Sequence, residues 1–107
     1  MIDKDIENLL IFLKDNFNIK NMSNDEKNKL EYLYAEIANF TNEIPSIKKL
    51  EKIQNIEIEL ETKYEELYEL GNYFDPVFIQ MKKIIHEDNI LKIREKNTYK
   101  KTSRVKK

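Results

Sequence analysis

Only a few residues in this chain have the type and spacing to do chemistry. His86, in "IIHEDN", is the single histidine. General acid–base work by one histidine needs an orienting partner and a pocket, and the neighbouring Glu87 and Asp88 point to other faces of a helix. His86 is therefore read as a surface residue near a helix end. Glu57, Glu61 and Glu65 repeat at four-residue spacing and would line one helix face. Carboxylate-bridged metal sites in helical bundles add Glu-x-x-His pairs to such a row, and none occurs here. The row is read as a solvated acidic face or, in the sharper alternative, as a face that docks on a basic protein or imitates nucleic acid. No glycine-rich phosphate loop, nucleophile elbow or zinc spacing is present. With no cysteine, disulfides and thiolate metal sites are excluded. The expectation is a non-enzyme with no cofactor and no metal.

The clearest charged feature lies at the other end of the scale. Lys92, Arg94, Lys96, Lys100, Lys101, Arg104, Lys106 and Lys107 stand against one acid, Glu95, in the last 16 residues, whereas residues 1–91 hold 11 basic and 19 acidic residues. The formal net charge of −1 conceals this split. Clustered Lys and Arg bind phosphates without sequence preference by releasing counterions, and Tyr99 among them could stack on a base. The basic tail is thus the candidate contact for nucleic acid or an acidic partner.

The elements that must position these groups are helical. Charged residues make up 36% of the 107, above the usual ~25%, with one glycine and two prolines. Few breakers and many Glu, Lys, Leu and Ile favour helix. Ile2, Ile6, Leu9, Leu10, Leu13 and Phe17 form one apolar stripe, predicting a first helix over 3–17. Ser23 and Glu26 form a capping box that opens a second helix, with Leu30, Leu33, Tyr34, Ile37 and Phe40 as its stripe and an end near Asn42, ahead of Pro45. Ser46 is a good N-cap for a third helix. That helix either continues to about Leu70, following the seven-residue series Ile53, Leu60, Leu67, Phe74 in coiled-coil fashion, or breaks near Asn55–Ile56. The alternation of Ile56, Ile58 and Leu60 with Glu57, Glu59 and Glu61 also admits a short strand as a minor reading. Gly71 fits a helix C′ position with positive φ. Asp75 and Pro76 fit the N-cap and first position of a fourth helix reaching about Asp88, and residues 97–107 are expected to form a flexible tail.

Residues 30–74 carry a further pattern. "PSIKKLEKIQNI" offers Pro45, Ser46, Leu50 and Ile56, and "LETKYEELYELGNYF" offers Leu60, Tyr64, Leu67, Gly71 and Tyr73. In these places the chain resembles winged-helix, helix-turn-helix domains of the GntR and LexA type. That resemblance implies a recognition helix in the DNA major groove, but the positions it would use for base and phosphate contacts hold Glu57, Glu59, Glu61 and Thr62. The turn is also about one residue shorter than the family pattern, and no wing follows Gly71.

The sequence therefore predicts an all-α fold: a small bundle of about four helices over 1–91 and a basic C-terminal extension over 92–107. The longest apolar run, Leu9–Leu13, is far short of the ~20 residues of a membrane span. The early acids in "MIDKDIENLL" do not suit a signal peptide, so no membrane association is expected and the place is cytoplasmic or virion-associated. The richness in Lys, Asn, Ile and Glu suggests an AT-rich genome. The functional expectation is an interaction protein, a helical component or modulator of a phage or mobile-element assembly, with a protein partner, nucleic acid at the tail, and room for homo-oligomers. The other reading is a small winged-helix-like repressor or partition factor.

Overall fold

The computed structural model describes the backbone of residues 2–105 and the side chains of residues 3–90. Among these the regular structure is helical: α1 (Ile2–Asp15), α2 (Asn24–Asn39), α3 (Ile47–Lys63), a 3₁₀ turn (Glu65–Leu67) and α4 (Leu70–Val105). Each helix packs on two neighbours, in the ring order α1, α2, α3, α4 and back to α1. Adjacent helices are antiparallel. Tyr73 of α4 stacks on Phe12 of α1, while Gln80, two turns later, donates to Asp5, two turns earlier. This is the up-and-down arrangement that short connections favour.

Every helix enters the core through the face its apolar spacing marks. Ile6, Leu9 and Leu13 come from α1, and Leu30, Leu33 and Ile37 from α2. Leu50, Ile53 and Leu60 come from α3, and Leu70, Phe74, Val77, Met81 and Ile85 from α4. The two serine caps form as the sequence suggests. Ser23 accepts from the Glu26 amide, and Ser46 accepts from the Lys49 amide at 3.1 Å. The Ser46 cap is exposed and isolated, so Ser46→Ala should cost only the lost cap, about 1 kcal/mol, measured as a lower urea midpoint with an unchanged m-value.

Several boundaries differ from the expectation. The first helix stops at Asp15, and the second at Asn39. Helix α3 runs unbroken through Asn55–Glu57, so the strand reading fails and the chain does not bend there. Nor does the helix reach Leu70. It ends at Lys63, where Tyr64 turns extended at φ −117°, ψ 122°. The series Ile53, Leu60, Leu67, Phe74 is buried throughout, but it crosses two helices and a turn rather than following one rod. Gly71 is not a C′ residue: it is the second residue of α4, and none of the described residues has positive φ. Pro76 lies inside α4 rather than at its first position. Its missing N–H leaves the Asn72 carbonyl without the usual bond. Helix α4 continues past residue 91 to Val105, where a flexible tail is expected from composition.

Candidate functional site

Among the described residues two carboxylates are buried, and neither lies where a charged side chain normally sits. Glu26, in the first turn of α2, is 6% exposed. It is held by two hydroxyls and one ammonium. One carboxylate oxygen accepts from the Ser23 hydroxyl at 3.0 Å and from the Tyr64 hydroxyl, while the other pairs with Lys63 Nζ at 2.5 Å. This accounts for the end of α3. The extended backbone at Tyr64 lets its buried ring reach into the core and its hydroxyl reach α2. The capping box is half of the usual exchange: the Glu26 carboxylate takes the serine hydroxyl rather than the serine amide.

The hydrogen bonds from Lys63 and Tyr64 hold Glu26 down to about 2, from 4.5, despite its burial. A folded-state value below the unfolded one means that the unfolded chain binds the proton first on acidification. The stability from this node is therefore complete above about pH 5 and is lost as the pH falls towards about 2. Glu26→Gln should flatten that acid limb, read as melting temperature against pH. An undiminished limb in the variant would assign acid sensitivity elsewhere.

Beyond the node, the α2–α3 seam is a ladder of opposite charges. Lys29 meets Glu59 at 2.8 Å, Lys52 sits over the Tyr32 ring at 5.3 Å, and Lys49 meets Glu36 at 3.0 Å. Glu59 is thus satisfied within the chain.

Glu57 is the second buried carboxylate, at 2% exposure, on the core side of α3 between Ile53 and Leu60. The flanking Ile58 is 46% exposed. The sequence conceals this because Glu57 alternates with isoleucines as if it faced solvent. The helical period places it in line with Leu50, Ile53, Leu60 and Tyr64, so the gap in that stripe was the available signal. Its Oε2 is buried without a hydrogen-bond donor. Burial first, then a hydrogen bond with Glu61, then the negative charges of Glu61 and Asp75, push its carboxyl up to about 9.

Of the row Glu57, Glu61 and Glu65, only Glu65 is freely exposed. Glu61 is half-buried beside Gly71, and Glu65 lies past the break at Tyr64. A solvated three-residue face is therefore not what the fold builds. The exposed acidic surface lies instead around the α3–α4 connection, where Glu65, Glu66 and Glu69 surround Tyr68, which is 71% exposed. His86 is exposed on α4, but far from a helix end, since α4 continues for 19 residues beyond it. Lys92, Arg94, Lys96, Lys100, Lys101 and Arg104 fall on the later turns of α4 with their side chains outside the described residues, and Lys106 and Lys107 lie outside them altogether.

Among the described residues, no group of three or more Asp, Glu, His or Cys side chains is placed to hold a metal ion. No helix among them is long and apolar enough to cross a membrane. A surface hollow of about 300 Å³ between the end of α2 and the start of α3 is bordered by Glu36 and Lys49, which neutralise each other. No protein-family model, curated protein or solved structure matches this chain.

Proposed function

We propose that this chain is a non-enzymatic interaction protein, a small helical component or modulator of a larger assembly of phage or mobile-element type, which engages nucleic acid or an acidic partner through the basic end of α4. One observation carries this reading. The other helices are 14 to 17 residues long, whereas α4 has 36. Its last buried residue is Ile85 among those whose side chains are described. The 20 residues that follow in the helix span about 30 Å at 1.5 Å per residue. Six of the clustered basic residues, Lys92, Arg94, Lys96, Lys100, Lys101 and Arg104, lie in that overrun. A helix of this composition gains little from continuing unless something anionic lies against it.

The bundle itself supports the protein-binding part of the reading. The α2–α3 seam charges are paired within the chain, whereas Tyr68, 71% exposed among Glu65, Glu66 and Glu69, is an exposed group with interface character. The deciding experiment is capture of the full chain from cells that express it, with both proteins and nucleic acids identified. A parallel capture uses a variant in which Lys100, Lys101, Arg104, Lys106 and Lys107 are glutamine. A specific partner recovered by the native chain and lost from the variant supports the proposal. Recovery of one promoter or centromere sequence, retained by the variant and without a protein partner, would favour the winged-helix-like repressor or partition factor instead.

A further inference from the structure

We propose that buried Glu57 holds a proton at the α3–α4 contact in the folded chain, and that removing this proton loosens the start of α4 from α3. The arrangement needs no ligand. Glu57 is 2% exposed, with one carboxyl oxygen buried and lacking a donor. Glu61, one turn later on the same helix, is the acidic neighbour that acts on it most strongly. A buried carboxylate without a donor is costly to keep charged, and a proton removes that cost. Burial disfavours the charged form of the inner group, and the negative neighbour disfavours it further.

The opposing helix completes the enclosure. A Cβ on Gly71 of α4 would lie 2.7 Å from Glu61 Oε2. The missing side chain is therefore what lets the Glu61 carboxyl sit against the α4 backbone. Asp75, one turn further along α4, adds a third negative group. The charged groups acting on Glu57 are thus Glu61 from its own helix and Asp75 from α4, and both are acidic. With the proton in place, the seam holds a neutral acid beside Glu61 and Asp75. Without it, two adjacent carboxylates and Asp75 repel across the contact that anchors the first turns of α4. The direction of the shift on Glu57 agrees with this geometry.

The linkage has a definite sign. An unfolded glutamate releases its proton near 4.5, whereas folded Glu57 holds it up to about 9. Folding therefore takes up a proton across that whole interval, and stability declines steadily as the pH rises through it. Above about pH 9 the decline from this pair ends.

The test compares wild type with Glu57→Gln, which keeps a neutral donor facing Glu61. Wild-type melting temperature should fall progressively between about pH 5 and 9, while the variant's profile over the same interval should be flatter by one proton per molecule. Carbon-detected NMR of the side-chain carboxyls supplies a reading that does not depend on the variant folding. One glutamate carboxyl should titrate near the alkaline end of the interval in wild type, and it should move towards the ordinary range in Gly71→Ala, where the new methyl displaces Glu61. Amides at the start of α4, in residues 70–75, should lose exchange protection, corrected for intrinsic rate, as that carboxyl ionises. Parallel melting profiles in wild type and Glu57→Gln, or a full set of glutamates titrating in the ordinary range, would overturn the proposal. Titration near the alkaline end with unchanged protection over residues 70–75 would overturn the loosening of α4.

Discussion

Phe74→Ala should lower the stability of the bundle by about 3–5 kcal/mol, the largest loss expected of a single substitution here. Phe74 is fully buried and heads the fully buried side chains by size. Its ring lies 5.6 Å from that of Phe78, at the α4 side of the core. Truncation removes the transfer energy of the ring and leaves a cavity that close-packed neighbours fill only in part. Domains of this size are held by roughly 5–15 kcal/mol, so about a fifth or more of the total would be lost. The melting temperature should fall by roughly 12 °C or more. Phe78→Ala, at a half-buried position on the same face, should cost clearly less. Urea denaturation followed by circular dichroism separates the two, with the midpoint moving and the m-value constant. A loss below about 1 kcal/mol for Phe74→Ala would mean that the α4 face is not packed as the structure describes it.

Much of the architecture that places Phe74 can be read from the sequence, because it rests on local rules. The serine caps at Ser23 and Ser46 depend on a side chain and an amide three residues away, and the apolar stripes depend only on the helical period. What the sequence conceals depends on partners distant along the chain. The stop at Lys63 has no Gly or Pro to mark it; it follows from the Tyr64 hydroxyl reaching Glu26, 38 residues earlier. Gly71 has two physical uses, positive φ and close approach of a neighbour. A lone glycine after Leu70 suggests the first, whereas the fold uses the second, against Glu61. Asp75–Pro76 has the local signature of a helix start, but Leu67, Leu70 and Phe74 are all drawn into the core, and α4 therefore begins before the proline. Glu57 shows how an internal position can look external: its local alternation suggests solvent, and only its alignment with Leu50, Ile53 and Leu60 gives its true direction.

That correction also changes how the charge-based reading of function is tested. Neutralising Lys100, Lys101, Arg104, Lys106 and Lys107 should reduce affinity for nonspecific duplex DNA by orders of magnitude at low salt, and equally on all sequences. Each phosphate contact contributes about 0.9 to the log–log salt slope on duplex. If all five residues make such contacts, the slope should become shallower by roughly 4.5. Fluorescence anisotropy over a salt series measures both quantities. The comparison set on the acidic side must avoid Glu57 and Glu61, whose replacement acts through the core, and Glu59, which is bonded to Lys29 at 2.8 Å. Glu65, Glu66 and Glu69 are the suitable set, since all three are exposed. Their change to glutamine should leave DNA affinity unaltered or slightly raised, because it removes repulsion from phosphate. The same change should weaken a basic protein partner that docks beside Tyr68, chiefly by slowing association at low salt. Base reading by a helix would give a different pattern, in which single changes alter sequence preference by about 1–3 kcal/mol per contact and leave the salt slope nearly constant. An unchanged slope after removal of five cations would exclude the end of α4 as the phosphate-binding element and leave the Tyr68 surface as the remaining interface.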